Sequence, residues 1–221
     1  MASVRLDTGF GMIRGYRVDP PNRPRGGLVV VQEIFGVNQH IRAVVDRFAA
    51  HGYVALAPAM FDLIQPDVQL GYDDPGIARG RELAAQVGFD RAVAAVEAAA
   101  KELEGAVEHV GVVGFCWGGT VAFLANTRLR LPAVSYYGGR TVPFLHERPG
   151  APLMLHFGQH DPIIPPADVQ AHRDALPEAF IHVYDAGHGF NCDQRADYDE
   201  AAAHEARDRT LQFFGRFLAP A

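Results

Sequence analysis

The sequence predicts an α/β fold in which a mostly parallel central sheet is covered by helices on both faces. Apolar runs typical of strands alternate along the chain with amphipathic helical patterns. Residues 28–31, four aliphatic residues in a row, lack polar alternation, as expected for a strand covered on both faces. Alternation of strands and helices favours parallel pairing, because a crossover helix returns the chain to the same end of the sheet.

The first three predicted elements are a strand, a helix and a second strand. The first strand lies within 26–36, and the helix follows over 38–52, where Gly52 is a typical C-terminal stop. The second strand covers 53–58. Residues 59–75 are rich in Pro, Asp and Gly without a clear period, which predicts an excursion over the surface.

The remaining elements continue the alternation. Helical periodicity over 77–104 contains Gly80 and Gly88, which predict a break or two separate helices. Strands are predicted within 109–115, 132–139, 151–166 and 179–190, and helices from 117 to 127 and over about 196–219. No repeat or linker interrupts the pattern, so residues 1–221 are expected to form a single domain.

Composition excludes several classes of protein. With 48% hydrophobic and 21% charged residues, the chain resembles an ordinary globular domain rather than a disordered one. A net charge of −6 argues against nucleic-acid binding, and no apolar stretch is long enough to cross a membrane. The N-terminal residues lack the apolar segment of a signal peptide, and two cysteines fit a reducing compartment. A cytoplasmic protein is therefore expected.

Four polar residues follow predicted strands: Glu33, Cys116, Asp161 and His188. Ligands of open parallel sheets bind outside the carboxyl ends of the strands, so these side chains are expected to converge. Cys116 lies in "GFCWGG", a frame that in many hydrolases carries a nucleophilic serine on a strained turn. The start of a helix there would stabilise a thiolate. The alternative is that Cys116 is a small apolar filler.

His188 and Asp161 complete a predicted triad with Cys116. His188 lies in "AGHGF", flanked by small residues, and Asp161 follows a strand in "GQHDPIIP". The chain order nucleophile, acid, histidine is the one used by hydrolases with this type of turn. Asp161 would orient the imidazole and stabilise its charged form. Asp185 is a rival carboxylate, although it is more typical of a turn at the end of a strand.

Glu33 has two interpretations. It can be a solvated residue at the end of a strand, or, close to the thiol, it can accept the proton of Cys116 or hold Cys116 neutral until substrate arrives. In the second case the backbone N–H groups of Ile34 and Trp117 would form an oxyanion hole.

No metal site and no cofactor are predicted. His156, His160 and Asp161 surround a strand end, but they lack the helical spacing that would bring both imidazoles to one face.

Taken together, the motifs resemble those of the dienelactone hydrolase family, the carboxymethylenebutenolidases of the α/β-hydrolase superfamily. The motifs are "QEIFGVNQHIR" (32–42), "GFCWGG" (114–119), "YYGG" (136–139), "GQHDPIIP" (158–165) and "AGHGF" (186–190). The resemblance implies an α/β-hydrolase fold, a Cys116–His188–Asp161 triad, activation of the thiol by Glu33 and an oxyanion hole at Ile34 and Trp117. It also implies a substrate pocket lined by Tyr137, and Phe35 and Phe190 are the other predicted pocket residues.

The sequence departs from the family where substrate is bound. Dienelactone hydrolases hold a substrate carboxylate with two arginines, and the corresponding positions here are Leu63 and Cys192. Neither side chain can form a charge-assisted bond to a carboxylate. Arg79, Arg81 and Arg140 are the candidate replacements.

The predicted activity is hydrolysis of a lactone or small ester through an acyl-enzyme. The alternatives are a thioesterase or acyl transferase on the same triad, and a non-catalytic binding protein with this fold. The expected partner is a small-molecule substrate, with no nucleic acid or membrane, and the chain is expected to be a monomer or a small homo-oligomer.

Overall fold

A computed structural model describes residues 2–219 and shows one eight-stranded sheet in the order β1-β2-β4-β3-β5-β6-β7-β8. The strands β3 to β8 are parallel, whereas β1 pairs antiparallel with β2, and β2 pairs antiparallel with β4. The strands are β1 (Ala2–Asp7), β2 (Met12–Val18), β3 (Gly27–Val31), β4 (Val54–Pro58), β5 (Val110–Phe115), β6 (Ala133–Tyr136), β7 (Leu153–Gly158) and β8 (Phe180–Tyr184). The predicted mostly parallel α/β sheet is confirmed.

Within residues 2–219, four α-helices connect strands and a fifth follows the last strand. They are α1 (Gln39–Ala50), α2 (Asp74–Glu104), α3 (Trp117–Leu129), α4 (Pro166–Ala175) and α5 (Glu200–Phe217). Every residue of β3, β4 and β5 is buried, so the centre of the sheet is covered on both faces, and the unbroken apolar runs follow from that burial. Within residues 2–219, none of the helices combines the length and the apolar character needed to cross a bilayer.

The break predicted in the long helix α2 occurs at Gly88, whose backbone leaves helical geometry (φ 70°, ψ 170°). Gly80 is different, because it stays helical and allows a close approach. A Cβ atom on Gly80 would lie 2.1 Å from the carbonyl oxygen of Ile34. The absence of a side chain at Gly80 therefore lets α2 pack directly against the loop that follows β3.

Two parts of the fold are not among the predicted elements. The hairpin of β1 and β2 lies at the edge of the sheet, and its residues mix charged with apolar side chains, so no continuous apolar run marks it. Helix α4 buries only Val169 and His172, which is too little to produce a clear helical stripe.

Candidate active site

Cys116 occupies a sharp turn between β5 and α3. Its backbone has φ 55° and ψ −119°, a conformation that L-residues rarely adopt and that costs about 1–3 kcal/mol. The turn also presses α3 against β3, because a Cβ atom on Gly118 would lie 2.3 Å from the Gln32 carbonyl oxygen. Cys116 is partly exposed rather than buried, which disfavours the filler interpretation.

The three predicted triad residues meet at the carboxyl edge of the sheet. His188 Nε2 lies 3.1 Å from Cys116 Sγ, and His188 Nδ1 lies 2.7 Å from Asp161 Oδ2. The side chains of His188 and Asp161 are 5% and 0% exposed. The other oxygen of Asp161 accepts hydrogen bonds from the backbone N–H groups of Ile163 (2.8 Å) and Ile164 (3.2 Å), which fix the carboxylate.

Asp185, the alternative carboxylate, lies at the surface rather than in the triad. It pairs with His160 at the surface, and its side chain is 89% exposed. The structure therefore brings Asp161, and not Asp185, against the imidazole of His188.

The electrostatics of His188 favour an ion pair with Cys116. Burial by itself lowers the pKa of the imidazole, but the thiolate charge of Cys116 and the hydrogen bond to Asp161 outweigh burial and raise the pKa of His188 to about 10. Near neutral pH the imidazole of His188 is therefore protonated, and its Nε2 faces the Cys116 sulfur.

Ile34 and Trp117 provide the candidate oxyanion hole. Trp117 is the first residue of α3, and among the described residues neither its N–H nor that of Ile34 donates to a backbone carbonyl. The Trp117 ring lies 6.0 Å from that of Phe61 and stacks at 6.4 Å on Phe89, just beyond the break in α2. These contacts pack the first residue of α3 against the segment after β4 and against α2.

Glu33 is buried and pairs with an arginine that the sequence did not single out. Its Oε1 lies 3.3 Å from Arg195 Nη1, with Glu33 1% and Arg195 17% exposed. Arg195 also lies over the Tyr72 ring at 6.0 Å. Burial opposes the charge of Arg195, but the carboxylate of Glu33 and the smaller contributions of Cys116, Tyr137 and Asp197 together outweigh burial, so the pKa of Arg195 is raised.

The hydrogen bond of Cys116 goes to His188, and no bond joins Glu33 to Cys116 within residues 2–219. Activation of the thiol by Glu33 therefore stays a prediction.

The positions of the missing arginines hold apolar or weakly polar side chains, as the sequence indicated. Leu63 lies in a 3-10 helix (Met60–Leu63), and Cys192 is fully buried. Of the three candidate replacements, Arg79 is half-buried and bonds Glu82 and Gln65, whereas Arg81 and Arg140 are exposed. Arg195, in the same loop as Cys192, is the cation that reaches Glu33. A search for any arginine within a few residues of Cys192 would have found it.

The predicted pocket residues are all buried. Tyr137 has φ 40°, its ring lies 5.2 Å from that of His188, and its hydroxyl has no hydrogen-bond partner in the part of the chain described. The ring centroid of Phe190 lies 5.3 Å from that of Tyr137, and the two rings pack edge to face. Phe35 contacts Tyr72 at 4.5 Å, on the side of Glu33 and Arg195.

Comparisons with known proteins agree with the fold. A solved structure from Klebsiella pneumoniae, described as "Putative Dienelactone Hydrolase", superposes with a TM-score of 0.83 at 28% identity, covering 98% of this chain and 99% of the other. The fold with its strand-end cysteine, histidine and aspartate is that of an α/β-hydrolase.

The family model of the dienelactone hydrolase family matches residues 13–218. A Synechocystis relative, "Putative carboxymethylenebutenolidase", is 35% identical over 225 residues, covering 91% of each chain. The carboxymethylenebutenolidase of Pseudomonas putida is 33% identical over 230 residues, covering 96% of this chain and 91% of its own. The chain belongs to the dienelactone hydrolase family and is accordingly an ester hydrolase, as the motifs predicted.

Proposed function

We propose that this protein hydrolyses lactones or small esters through a thioester intermediate on Cys116. The observation that carries the proposal is the pair of hydrogen bonds made by His188, one to the Cys116 sulfur at 3.1 Å and one to the Asp161 carboxylate at 2.7 Å. A nucleophile, a base in contact with it and a group that orients the base are the three parts that acyl transfer requires.

In the acylation step, the Cys116 thiolate attacks the carbonyl carbon. The C–Sγ bond forms while the carbonyl π electrons move onto the oxygen, which the N–H groups of Ile34 and Trp117 then hold. When this intermediate collapses, the C–O bond of the ester breaks, and the His188 imidazolium gives its proton to the departing alkoxide. In a lactone, the resulting alcohol stays attached to the acyl chain.

In the deacylation step, neutral His188 takes a proton from water as the oxygen attacks the thioester. The C–Sγ bond breaks, the carboxylic acid leaves, and the thiolate–imidazolium pair is restored. Asp161 holds Nδ1 throughout, because its second oxygen is fixed by two backbone N–H groups.

Arg195 is the proposed site for a carboxylate on the substrate. It is the cation next to the buried Glu33, and its guanidinium can bond a carboxylate with two parallel N–H groups. A substrate carboxylate would compete with Glu33 for Arg195, which would free Glu33 to act on the thiol. Recognition of the substrate carboxylate by Arg195 would thereby be coupled to activation of the Cys116 thiol by Glu33.

The mechanism is tested by trapping the acyl-enzyme. Intact-mass analysis during turnover of an activated aryl ester should show an acyl adduct, and peptide mapping should place it on Cys116. Cys116→Ala should lose about 10⁴-fold or more in turnover with an unchanged melting curve. Turnover by Cys116→Ala at the parent rate, or an adduct at another residue, would rule out the mechanism.

The role of Arg195 is tested with matched esters that differ only by a carboxylate. Arg195→Gln should lower kcat/KM for the carboxylate-bearing ester by about 10–100-fold, the range expected for one charge-assisted bond, and change the neutral ester much less. Arg5→Gln, an exposed arginine on the edge strand β1, is the control. An equal loss on both esters would assign Arg195 a structural role only.

A further inference from the structure

Three donor atoms of different chemistry lie together beside the proposed active site. One ligand atom each from Glu33, His40 and Cys192 lies within 4.8 Å of the other two, and all three residues are buried. His40 is in the first turn of α1, and Cys192 stands where dienelactone hydrolases hold a substrate-binding arginine. No step of the proposed mechanism uses His40 or Cys192.

Two of these side chains hold polar atoms that lack a partner. Glu33 Oε2 and His40 Nε2 are buried, and neither has a hydrogen-bond partner within residues 2–219. Glu33 and His40 are 1% and 0% exposed. Leaving such an atom unpaired is unfavourable, because its lost hydration is not replaced, so two in one cluster call for a physical explanation.

The other nitrogen of His40 is already engaged. Its Nδ1 lies 3.3 Å from Asp193 Oδ1, and Asp193 directly follows Cys192. Metal-bound histidines commonly donate their second ring N–H to a carboxylate, which fixes the tautomer and raises the basicity of the coordinating nitrogen. This contact leaves Nε2 as the nitrogen that is free to coordinate.

We propose that Glu33, His40 and Cys192 form a binding site for a divalent ion of the zinc type. Thiolate, imidazole and carboxylate are the three ligand types that zinc takes from proteins, and Mg²⁺ or Ca²⁺ would require a larger set of oxygens. On binding, the Cys192 S–H bond breaks, the proton leaves to solvent and the Sγ–metal bond forms, without any change of oxidation state. Water completes the tetrahedron.

The geometry requires only a small adjustment. Metal–ligand bonds of about 2.0–2.3 Å place tetrahedral donor atoms roughly 3.5 Å apart. Donor atoms within 4.8 Å reach that spacing by side-chain rotations that move them by about 1 Å. Glu33 can keep Oε1 on Arg195 while Oε2 coordinates the ion.

Cobalt(II) titration of Cys116→Ala tests the site directly. The chain has two cysteines, so any sulfur-to-cobalt charge-transfer band in this variant reports Cys192. The d–d absorption reports tetrahedral coordination, and zinc should displace cobalt and abolish both bands. Adding Cys192→Ser should remove the charge-transfer band, and adding His40→Gln should weaken cobalt binding by about 100-fold. Circular dichroism melting verifies that each variant is folded.

His172→Gln in the Cys116→Ala background is the matched control. His172 is also buried with an unpartnered Nε2, but it lies on α4 and does not belong to the cluster. Its replacement should leave the cobalt affinity within about 2-fold of the parent. The absence of a sulfur-to-cobalt band in folded Cys116→Ala would overturn the proposal. Equal cobalt affinities of the His40→Gln and His172→Gln variants would also overturn it.

Discussion

His188 and His156 are both buried, and both are hydrogen-bonded through each ring nitrogen, yet the protein favours opposite charge states for them. His188 contacts the Asp161 carboxylate and the Cys116 sulfur. His156, in β7, contacts the hydroxyls of Tyr184 (2.8 Å) and Thr210 (3.1 Å). Both imidazoles make the same number of hydrogen bonds, so the difference in their favoured charge state must come from the charge of their partners.

The shifts in pKa follow those charges. Burial disfavours the protonated form of both rings, but the anionic partners of His188 overcome it and raise the pKa to about 10. For His156, burial is reinforced by the nearby positive charges of His182 and Arg209, and the pKa is held well below its usual value. The favoured charge state of these two buried histidines is thus set by the charge of their partners, whereas burial and the number of hydrogen bonds are the same for both.

The largest effect is expected from making the same substitution at both histidines. His188→Gln should reduce turnover by about 10⁴-fold or more, because it removes the base that contacts the Cys116 sulfur. His156→Gln should keep turnover within about 3-fold while lowering the free energy of unfolding by about 2 kcal/mol, since one hydroxyl loses its partner. Ester turnover and urea denaturation of both variants measure the contrast. Similar losses of turnover in the two variants would contradict the proposed difference in role between His188 and His156.

A smaller effect is expected from removing the carboxylate next to His188. Asp161→Asn keeps the oxygen that accepts the backbone hydrogen bonds but removes the negative charge, and kcat/KM should fall by about 10²–10⁴-fold. In the parent, a raised pKa means that the imidazolium persists until the pH rises through about 10, and the alkaline limb of the rate profile should lie there. In Asp161→Asn that limb should move to lower pH.

The control for this variant is Asp185→Asn, which alters the exposed rival carboxylate. The pH dependence of kcat/KM on an unactivated alkyl ester, whose leaving group needs a proton, measures the shift. An alkaline limb at the same pH in Asp161→Asn and the parent would show that the carboxylate does not control the imidazole.

The position of each histidine relative to its strand distinguishes the two in the sequence itself. His188 follows a predicted strand among glycines, whereas His156 lies inside a predicted strand, and parallel topology brings only strand-end residues to one edge. The convergence of Cys116, Asp161 and His188 was predictable for that reason, as were the central strands, whose burial on both faces leaves an unbroken apolar pattern.

Other features of the site were not predictable, because they depend on how loops fold. The contact of Arg195 with Glu33 requires the loop after β8 to turn back over the end of β3, and no local pattern encodes that path. The proximity of His40 and Cys192 likewise depends on the path of this loop, because Cys192 lies in it. The edge hairpin of β1 and β2 was missed because half-exposed edge strands need no continuous apolar run.

The smallest expected effect concerns the acid limb of stability. The depressed pKa of His156 means that, as the pH falls below about 6.5, the unfolded chain binds a proton at this site and the native protein does not. The native state then loses at most about 1.4 kcal/mol of stability per pH unit from this histidine.

His156→Gln should be less stable at neutral pH but lose stability less steeply between about pH 6.5 and 5.5. Urea midpoints across that range measure the slopes, with exposed His146→Gln as the control. Parallel slopes in the parent and His156→Gln would mean that His156 is protonated in the native protein, and the contrast with His188 would then disappear.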